Sequence, residues 1–235
     1  MIQAALNGAR TAADGTAVPL SPGALAEAAA GAAAAGAGEV QVRPKTPCGR
    51  DSLSPRVLGP LLEEVRARVA VPVGVDAYLG GERVPEWTVL PDRAAVDWSL
   101  AGAEELAGLL LGRGVAVEAL VRGGGPAAAR FARSPLRGRV LRVLAEVPAA
   151  ADPVAAALEL LAALGTGRPV LLHGRGPAAW PVLRLAAARS LALRTGVADT
   201  LTLPDGRPAR SNAELVAAAR AQAAGGAAAA TAWSR

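Results

Sequence analysis

Large rings are scarce in this 235-residue chain: aromatic residues make up 3% of it, with one phenylalanine and one tyrosine. A single-strand nucleic-acid reader needs several rings on which bases stack, and this composition argues against that design. Cys48 is the only cysteine, so no internal disulfide forms and zinc motifs built from several cysteines are excluded. His173 is the only histidine, and it does not make a metal site by itself. No apolar stretch is long enough to span a bilayer, because Arg, Glu, Gly or Pro recur throughout. The alanine-rich runs at 28–35 and 227–230 are too weakly hydrophobic to change that. Ile2 to Leu6 is too short for the apolar region of a secretory signal and follows no basic segment. The expectation is a soluble, cytoplasmic protein with no membrane partner.

What is abundant is small and apolar. Hydrophobic residues make up 52% of the chain, enough for a sizeable core of Ala, Val and Leu. The net charge is +5 and the pI near 10.8, which raises the question of nucleic acid. Lys45 is the sole lysine among 25 basic residues, and these are scattered without forming a stripe. No nucleic-acid partner is expected; a diffuse positive potential favours anionic small molecules instead.

Short apolar runs alternate with longer stretches of helical period, the pattern of βα units around a parallel sheet. Strands are expected over 2–6, 39–43, 71–75, 94–98, 116–120, 140–147, 170–173 and 193–195. Helices are expected over 22–35, 55–69, 103–111, 127–132, 153–164, 179–189 and 212–224. Ser21 supplies an N-cap and Pro22 a first helical residue, while Gly36 and Gly38 stop that helix. Residues 76–91 read as a long irregular connection, and Gly225 as the stop of the last helix. Eight strands, most of them followed by a helix, predict an α/β fold: a closed (β/α)8 TIM barrel over 1–225, with a frayed tail over 226–235. An open doubly wound sheet is the alternative. Against it, Asn7-Gly8-Ala9-Arg10 after the first strand lacks the glycine pattern of a dinucleotide fold.

Several segments carry a family resemblance. Ile2-Gln3-Ala4-Ala5-Leu6-Asn7-Gly8-Ala9 opens the chain, Pro72-Val73-Gly74-Val75 forms the third strand, and Arg113-Gly114-Val115-Ala116-Val117-Glu118-Ala119 leads through the fifth. His173-Gly174, followed by Ala179-Trp180-Pro181, marks the seventh junction. Arg194-Thr195-Gly196-Val197-Ala198-Asp199-Thr200 forms the eighth strand and its exit, with Leu203-Pro204-Asp205-Gly206 and Asn212-Ala213-Glu214-Leu215-Val216 after it. In this order they resemble the β-keto acid cleavage enzymes over nearly the whole chain. The resemblance implies a zinc-dependent barrel that cleaves a β-keto acid with acetyl-CoA as co-substrate, giving acetoacetate and a new CoA thioester. A divalent cation in such an enzyme polarises the keto oxygens and stabilises the developing enolate.

The resemblance also places zinc ligands at a His-x-His pair on the second strand and a Glu on the eighth. Gln41 and Arg43 stand at the first two positions here, and Ala198 at the third. An amide is a poor zinc ligand, a guanidinium keeps its positive charge, and a methyl group has no donor, so no zinc is expected to bind. Asp76-Ala77-Tyr78 replaces a Ser-Thr-Gly type of turn, and Arg10 occupies a position often acidic. Arg194 and Asp199 match a charged pair implicated in substrate activation, and Glu118 matches the acidic residue of the fifth strand. These three are the catalytic candidates.

Other residues have two readings each. Arg194 and Asp199 are either functional or a structural ion pair at a barrel rim. His173 is either a binding residue at a strand end or a hydrogen-bonded structural histidine. His173, Gly174, Arg175 and Gly176 precede a helix, where backbone N–H groups suit a substrate or the phosphate of coenzyme A; a Gly-Arg-Gly turn without that role is as common. Arg122-Gly123-Gly124-Gly125 reads as a flexible loop, and Trp87, Trp98 and Trp180 as packing. Lys45 raises Schiff-base chemistry, but it lies in a loop where the family usually has Arg; Cys48 has no adjacent base and reads as incidental. Two classes of function follow. One is an acyltransferase-type enzyme that cleaves a C–C bond. The other is a non-catalytic relative that binds an acyl-CoA or a β-keto acid, or pairs with an active paralogue. Relatives are commonly oligomers, so a homo-oligomer is expected by analogy.

Overall fold

The computed structural model describes residues 1–165 and 167–232, with side chains described through 224. The strands are β1 (Ile2–Ala5), β2 (Glu39–Val42), β3 (Val73–Asp76), β4 (Arg93–Asp97), β5 (Ala116–Arg122), β6 (Arg142–Val147), β7 (Val170–Gly174) and β8 (Ala192–Thr195). Each pairs in parallel with the next, and β8 pairs with β1, so the sheet closes into a barrel. The helices are α1 (Pro22–Ala34), α2 (Pro55–Arg66), α3 (Ala103–Gly112), α4 (Ala127–Arg133), α5 (Pro153–Leu164), α6 (Ala179–Ala188) and α7 (Asn212–Ala232). This is a (β/α)8 TIM barrel. Among the described residues, no helix is long and apolar enough to cross a membrane.

Local chemistry marks two helix starts clearly. The Ser21 side chain accepts from the Ala24 N–H at the start of α1, and Asp152 accepts from Val154 and Ala155 at the start of α5, each followed by a proline suited to the first turn. Two short 3₁₀ segments, Ala77–Leu79 and Gly81–Glu86, follow β3 in place of a helix. Gly80-Gly81 and Pro85 break up any longer run there. Most elements start or end within three residues of expectation, and the largest difference is at α7, which continues through Gly225 to Ala232. A glycine costs about 1 kcal/mol in a helix, and the flanking alanines are the best helix formers, so Gly225 does not end it. Of the expected tail, 226–232 therefore lies in α7, and 233–235 lie outside the described residues.

Alternate residues of a strand face one side. The inward set forms three tiers, seen most clearly on β4, β5 and β6, which contribute Arg93-Ala95-Asp97, Glu118-Leu120-Arg122 and Arg142-Leu144-Glu146. The middle tier is apolar, with Ala95, Leu120, Leu144 and Leu171 in one buried cluster. The outward set packs against the helices in the main core, which also takes Trp87, Trp98 and Trp180. Trp98 meets Phe131 edge-on at 5.2 Å, and the indole N–H of Trp87 donates to the Leu53 carbonyl at 2.8 Å.

The lower tier is a closed ion network. Arg142 Nε donates to Glu118 at 2.8 Å, and its Nη2 contacts both Glu118 and Glu39. Arg93 donates to Glu39 at 2.8 Å and to the Val40 carbonyl at 3.0 Å, while Gln3 donates to Glu118 at 3.2 Å. A Cβ at Gly74 would collide with the Gln41 amide oxygen and come within 3.0 Å of the Arg93 guanidinium, so only glycine lets these side chains cross the barrel there. Two arginines neutralise two carboxylates, and losing one member strands the others in low dielectric. Glu118→Ala should therefore lower unfolding free energy by about 3–5 kcal/mol in urea titrations, and a loss under about 1 kcal/mol would contradict this network.

Candidate functional site

The upper tier lies at the C-terminal ends of the strands, the face where (β/α)8 enzymes place their sites. Arg43 follows β2 and is held by its backbone: the Asn7 side chain donates to its carbonyl at 2.8 Å and accepts from its N–H at 2.9 Å. Its guanidinium gives two hydrogen bonds to Asp76, at 2.8 and 3.0 Å, and one to the Tyr78 hydroxyl at 3.0 Å. Gln41 donates to the other Asp76 oxygen at 3.0 Å. Asp51 stands 3.4 Å from Arg43 and accepts from Lys45 at 2.6 Å, so the Lys45 amine is ion-paired.

Across the mouth, Arg194 grips Asp199 through two bonds of 3.0 and 3.1 Å. A Cβ at Gly196 would run into the Ala5 backbone, so this glycine lets the β8 exit pass close over β1 and bring Asp199 back toward the axis. Asn212, the first residue of α7, fixes the same turn by accepting from Val197 N–H and donating to the Leu6 carbonyl, both at 2.9 Å. His173 is fully buried between two carboxylates, with Nδ1 3.5 Å from Asp199 and Nε2 3.8 Å from Glu146. Neither ring nitrogen makes a well-aligned hydrogen bond among the described residues. Glu146 also accepts from Arg122 Nε at 2.8 Å and lies 3.5 Å from Arg175. Arg122 pairs with Asp97 as well, and its guanidinium stacks 5.7 Å from the Tyr78 ring centre.

The charges set one another's ionisation. Burial opposes ionisation of Asp76, but Arg43 and then Arg194 outweigh it and hold the pKa below the usual carboxylate range. Glu146 is lowered likewise, with His173 and Arg122 acting against burial. Asp199 is lowered too, by Arg194 and then His173 against burial. Burial, reinforced by Asp76, pushes the Tyr78 phenol up to about 12, so it stays protonated at neutral pH.

The sequence candidates separate into two groups. Arg194, Asp199, His173 and Arg175 come together at the mouth. Glu118 does not join them: it lies in the lower ion network, beneath the apolar tier formed in part by Leu120. The loop N–H groups expected to cradle a phosphate are engaged inside the fold, Arg175 N–H on the Val147 carbonyl at 3.0 Å and Gly176 N–H on the Asp199 carbonyl at 2.7 Å. Gly174 ends β7, so only the Arg175 side chain of that segment reaches outward, one-third exposed. Asp97 and Glu146 were not singled out in the sequence, and Asp76 and Arg122 were noted there only as a changed turn and the start of a flexible loop. The signal was available in the two-residue alternation, because each is the last inward residue of its strand. Cys48 is exposed beside a cavity of about 790 Å³ between the loops after β1 and β2, and hydrogen bonds from Thr46 and then Arg50 lower its thiol to about 7.

The three positions that the resemblance assigns to zinc ligands do not fit the ion. Gln41 offers an amide already turned to Asp76, Arg43 places a fixed cation on that carboxylate, and Ala198 offers a methyl group. No group of three or more His, Cys, Asp or Glu side chains suited to a metal occurs among the described residues.

A charged mouth on a (β/α)8 barrel defines the class, and sequence comparison defines the family. The family model for beta-keto acid cleavage enzyme matches residues 1–97 and 128–232, and the chain belongs to that family. A search of curated protein sequences gave no match. Among solved structures, ObcA in a ternary complex with a C4-CoA adduct and oxalate superposes with a TM-score of 0.68 at 17% identity, covering 89% of this chain and 64% of that one. ObcA with oxaloacetate gives 0.66 at 17% identity over the same shares. Homocysteine methyltransferase MmuM from Escherichia coli gives 0.58 at 15% identity, covering 94% of this chain and 95% of that one. These identities establish the shared fold. The chain spans about 64% of the length of ObcA.

The lowered carboxylates predict how stability responds to acid. Asp76, Glu146 and Asp199 have folded pKa values below their unfolded ones, so their contribution is present above the unfolded values and is lost as pH falls toward the folded ones. Urea midpoints should be steady near neutrality and decline from about pH 4 downward, and Asp199→Asn should flatten that decline. A wild-type midpoint unchanged between about pH 5 and about pH 3 would contradict the assignment.

Proposed function

We propose that this chain binds a small oxo acid or its coenzyme A thioester at the barrel mouth and does not perform zinc-dependent cleavage. The observation that carries this reading is the Arg43 guanidinium bound by Asp76 at 2.8 Å, at a position where the family resemblance calls for a zinc-ligating histidine. A guanidinium is a single, non-coordinating charge, and it cannot draw a keto oxygen into its coordination shell as a Lewis-acidic ion does. Family membership supports the ligand class. So do the ligands of ObcA, which was solved with oxaloacetate and with a C4-CoA adduct and oxalate.

A second reading is favoured by a specific observation. The Arg194–Asp199 pair is intact, buried and held at two points beside His173. On that reading the chain remains an acyltransferase-type enzyme that takes acetyl-CoA as co-substrate, with its own guanidinium groups stabilising the enolate in place of a metal.

The two readings part in one assay. A panel of β-keto acids is incubated with acetyl-CoA and the protein, with added zinc or with chelator, and CoA thioester products are followed by mass spectrometry. No turnover is expected under either condition, while oxaloacetate or acetyl-CoA should raise the melting temperature. Turnover abolished by chelator would overturn the proposal, and turnover indifferent to chelator would establish the second reading.

A further inference from the structure

The arginines of the mouth are not equivalent. Arg43 and Arg194 are buried, their side chains 8% and 7% exposed, and each is fixed to its own carboxylate at two points. Arg122 and Arg175 are each 33% exposed and share one buried acceptor, Glu146. A guanidinium has five N–H donors in a rigid fork. Arg122 spends Nε on Glu146 and Nη1 on Asp97, and Arg175 spends Nη1 on Glu146 and Nη2 on the Ala198 carbonyl. Among the described residues, Nη2 of Arg122 and Nε of Arg175 have no partner.

Arg122 is also pre-positioned. The Tyr78 ring lies under its guanidinium at 5.7 Å, and the Tyr78 hydroxyl is fixed in turn by a hydrogen bond from Arg43. An anion arriving at Arg122 therefore finds the side chain already ordered, which removes part of the entropic cost of binding. Arg122 falls within residues 98–127, the stretch that the family model leaves unmatched, whereas Arg175 falls within the matched part. One arm of the pair thus comes from outside the stretch that the family model matches.

We propose that Arg122 and Arg175 form the oxyanion-recognising pair of the mouth, holding the ligand's carboxylate on their outward donors while Glu146 occupies their inward ones. The inference rests on the reading that the mouth takes an oxo acid, and it names the residues that select it. Planar oxyanions match the fork of a guanidinium, and a phosphate oxygen edge presents the same chemistry. The two sources are separated by ligand: acetoacetate carries a carboxylate and no phosphate, and coenzyme A carries phosphates and no carboxylate.

The test is isothermal titration of the full chain with each ligand, using wild type, Arg122→Gln, Arg122→Lys and Arg175→Gln, with circular dichroism melts confirming the fold. Acetoacetate affinity should fall at least about tenfold in Arg122→Gln and in Arg175→Gln. It should fall less in Arg122→Lys, which keeps the charge and loses the fork. Wild-type binding should also weaken with added salt. If coenzyme A binding falls in the variants and acetoacetate does not bind, the pair recognises oxyanions and the ligand group is phosphate. Unchanged affinity in both glutamine variants overturns the proposal and leaves the oxo-acid reading standing. Wild type binding neither ligand overturns that reading and the pair with it. Should Arg122→Gln fail to fold, Arg175→Gln and Arg122→Lys decide.

Discussion

A buried guanidinium is costly to hold unless its donors are met, and the Arg43–Asp76 contact meets that constraint at the barrel mouth. Both side chains lie at the mouth, away from bulk water, so loss of either leaves the other's charge buried without compensation. The surrounding residues follow from this need. Asn7 pins the Arg43 backbone, Gln41 satisfies the second Asp76 oxygen, and Tyr78 takes a further guanidinium N–H. Asp76 provides the counter-charge to Arg43. A divalent ion held by neutral imidazoles leaves an excess of positive charge for substrate. The mouth here is closer to internal neutrality, with Arg43, Arg122, Arg175 and Arg194 set against Asp76, Asp97, Glu146 and Asp199.

The barrel interior carries two ion networks separated by an apolar tier. The lower one joins Gln3, Glu39, Arg93, Glu118 and Arg142 and closes the floor. The upper one runs from Asp97 through Arg122, Glu146 and His173 to Asp199 and Arg194. Ala95, Leu120, Leu144 and Leu171 lie between them and keep the two sets of charges from sharing partners. Placement in one tier or the other decides what an ionisable residue can do. A carboxylate in the floor serves stability, and one at the mouth can meet a ligand.

That distinction also explains what was legible in the sequence. Strand and helix order came through because each element is long enough to carry its own period, with Ser21-Pro22 marking the start of α1. Arg194 and Asp199 were found through the family resemblance, and their five-residue separation lets one strand exit bring them into contact. Glu118 was named a catalytic candidate by resemblance, and its place in the lower tier was not legible because height in a barrel depends on the register between strands, which pairs Glu118 with Ala95 and Arg142. Leu120 and Arg122 share its face, and nothing local says which of the three reaches the mouth. The occupied N–H groups of Arg175 and Gly176 were equally out of reach, since their acceptors come from β6 and from the exit of β8. The end of α7 was missed for a different reason: a single glycine was weighted above the alanines around it.

The most direct measurement is the zinc content of the purified protein after equilibration with zinc and removal of free ion, read by elemental analysis. On the proposed reading, with the Arg43 guanidinium bound to Asp76, zinc should remain far below one ion per chain. A tightly bound ion near one per chain would contradict this view of the mouth. It would mean that residues other than Gln41, Arg43 and Ala198 hold the metal.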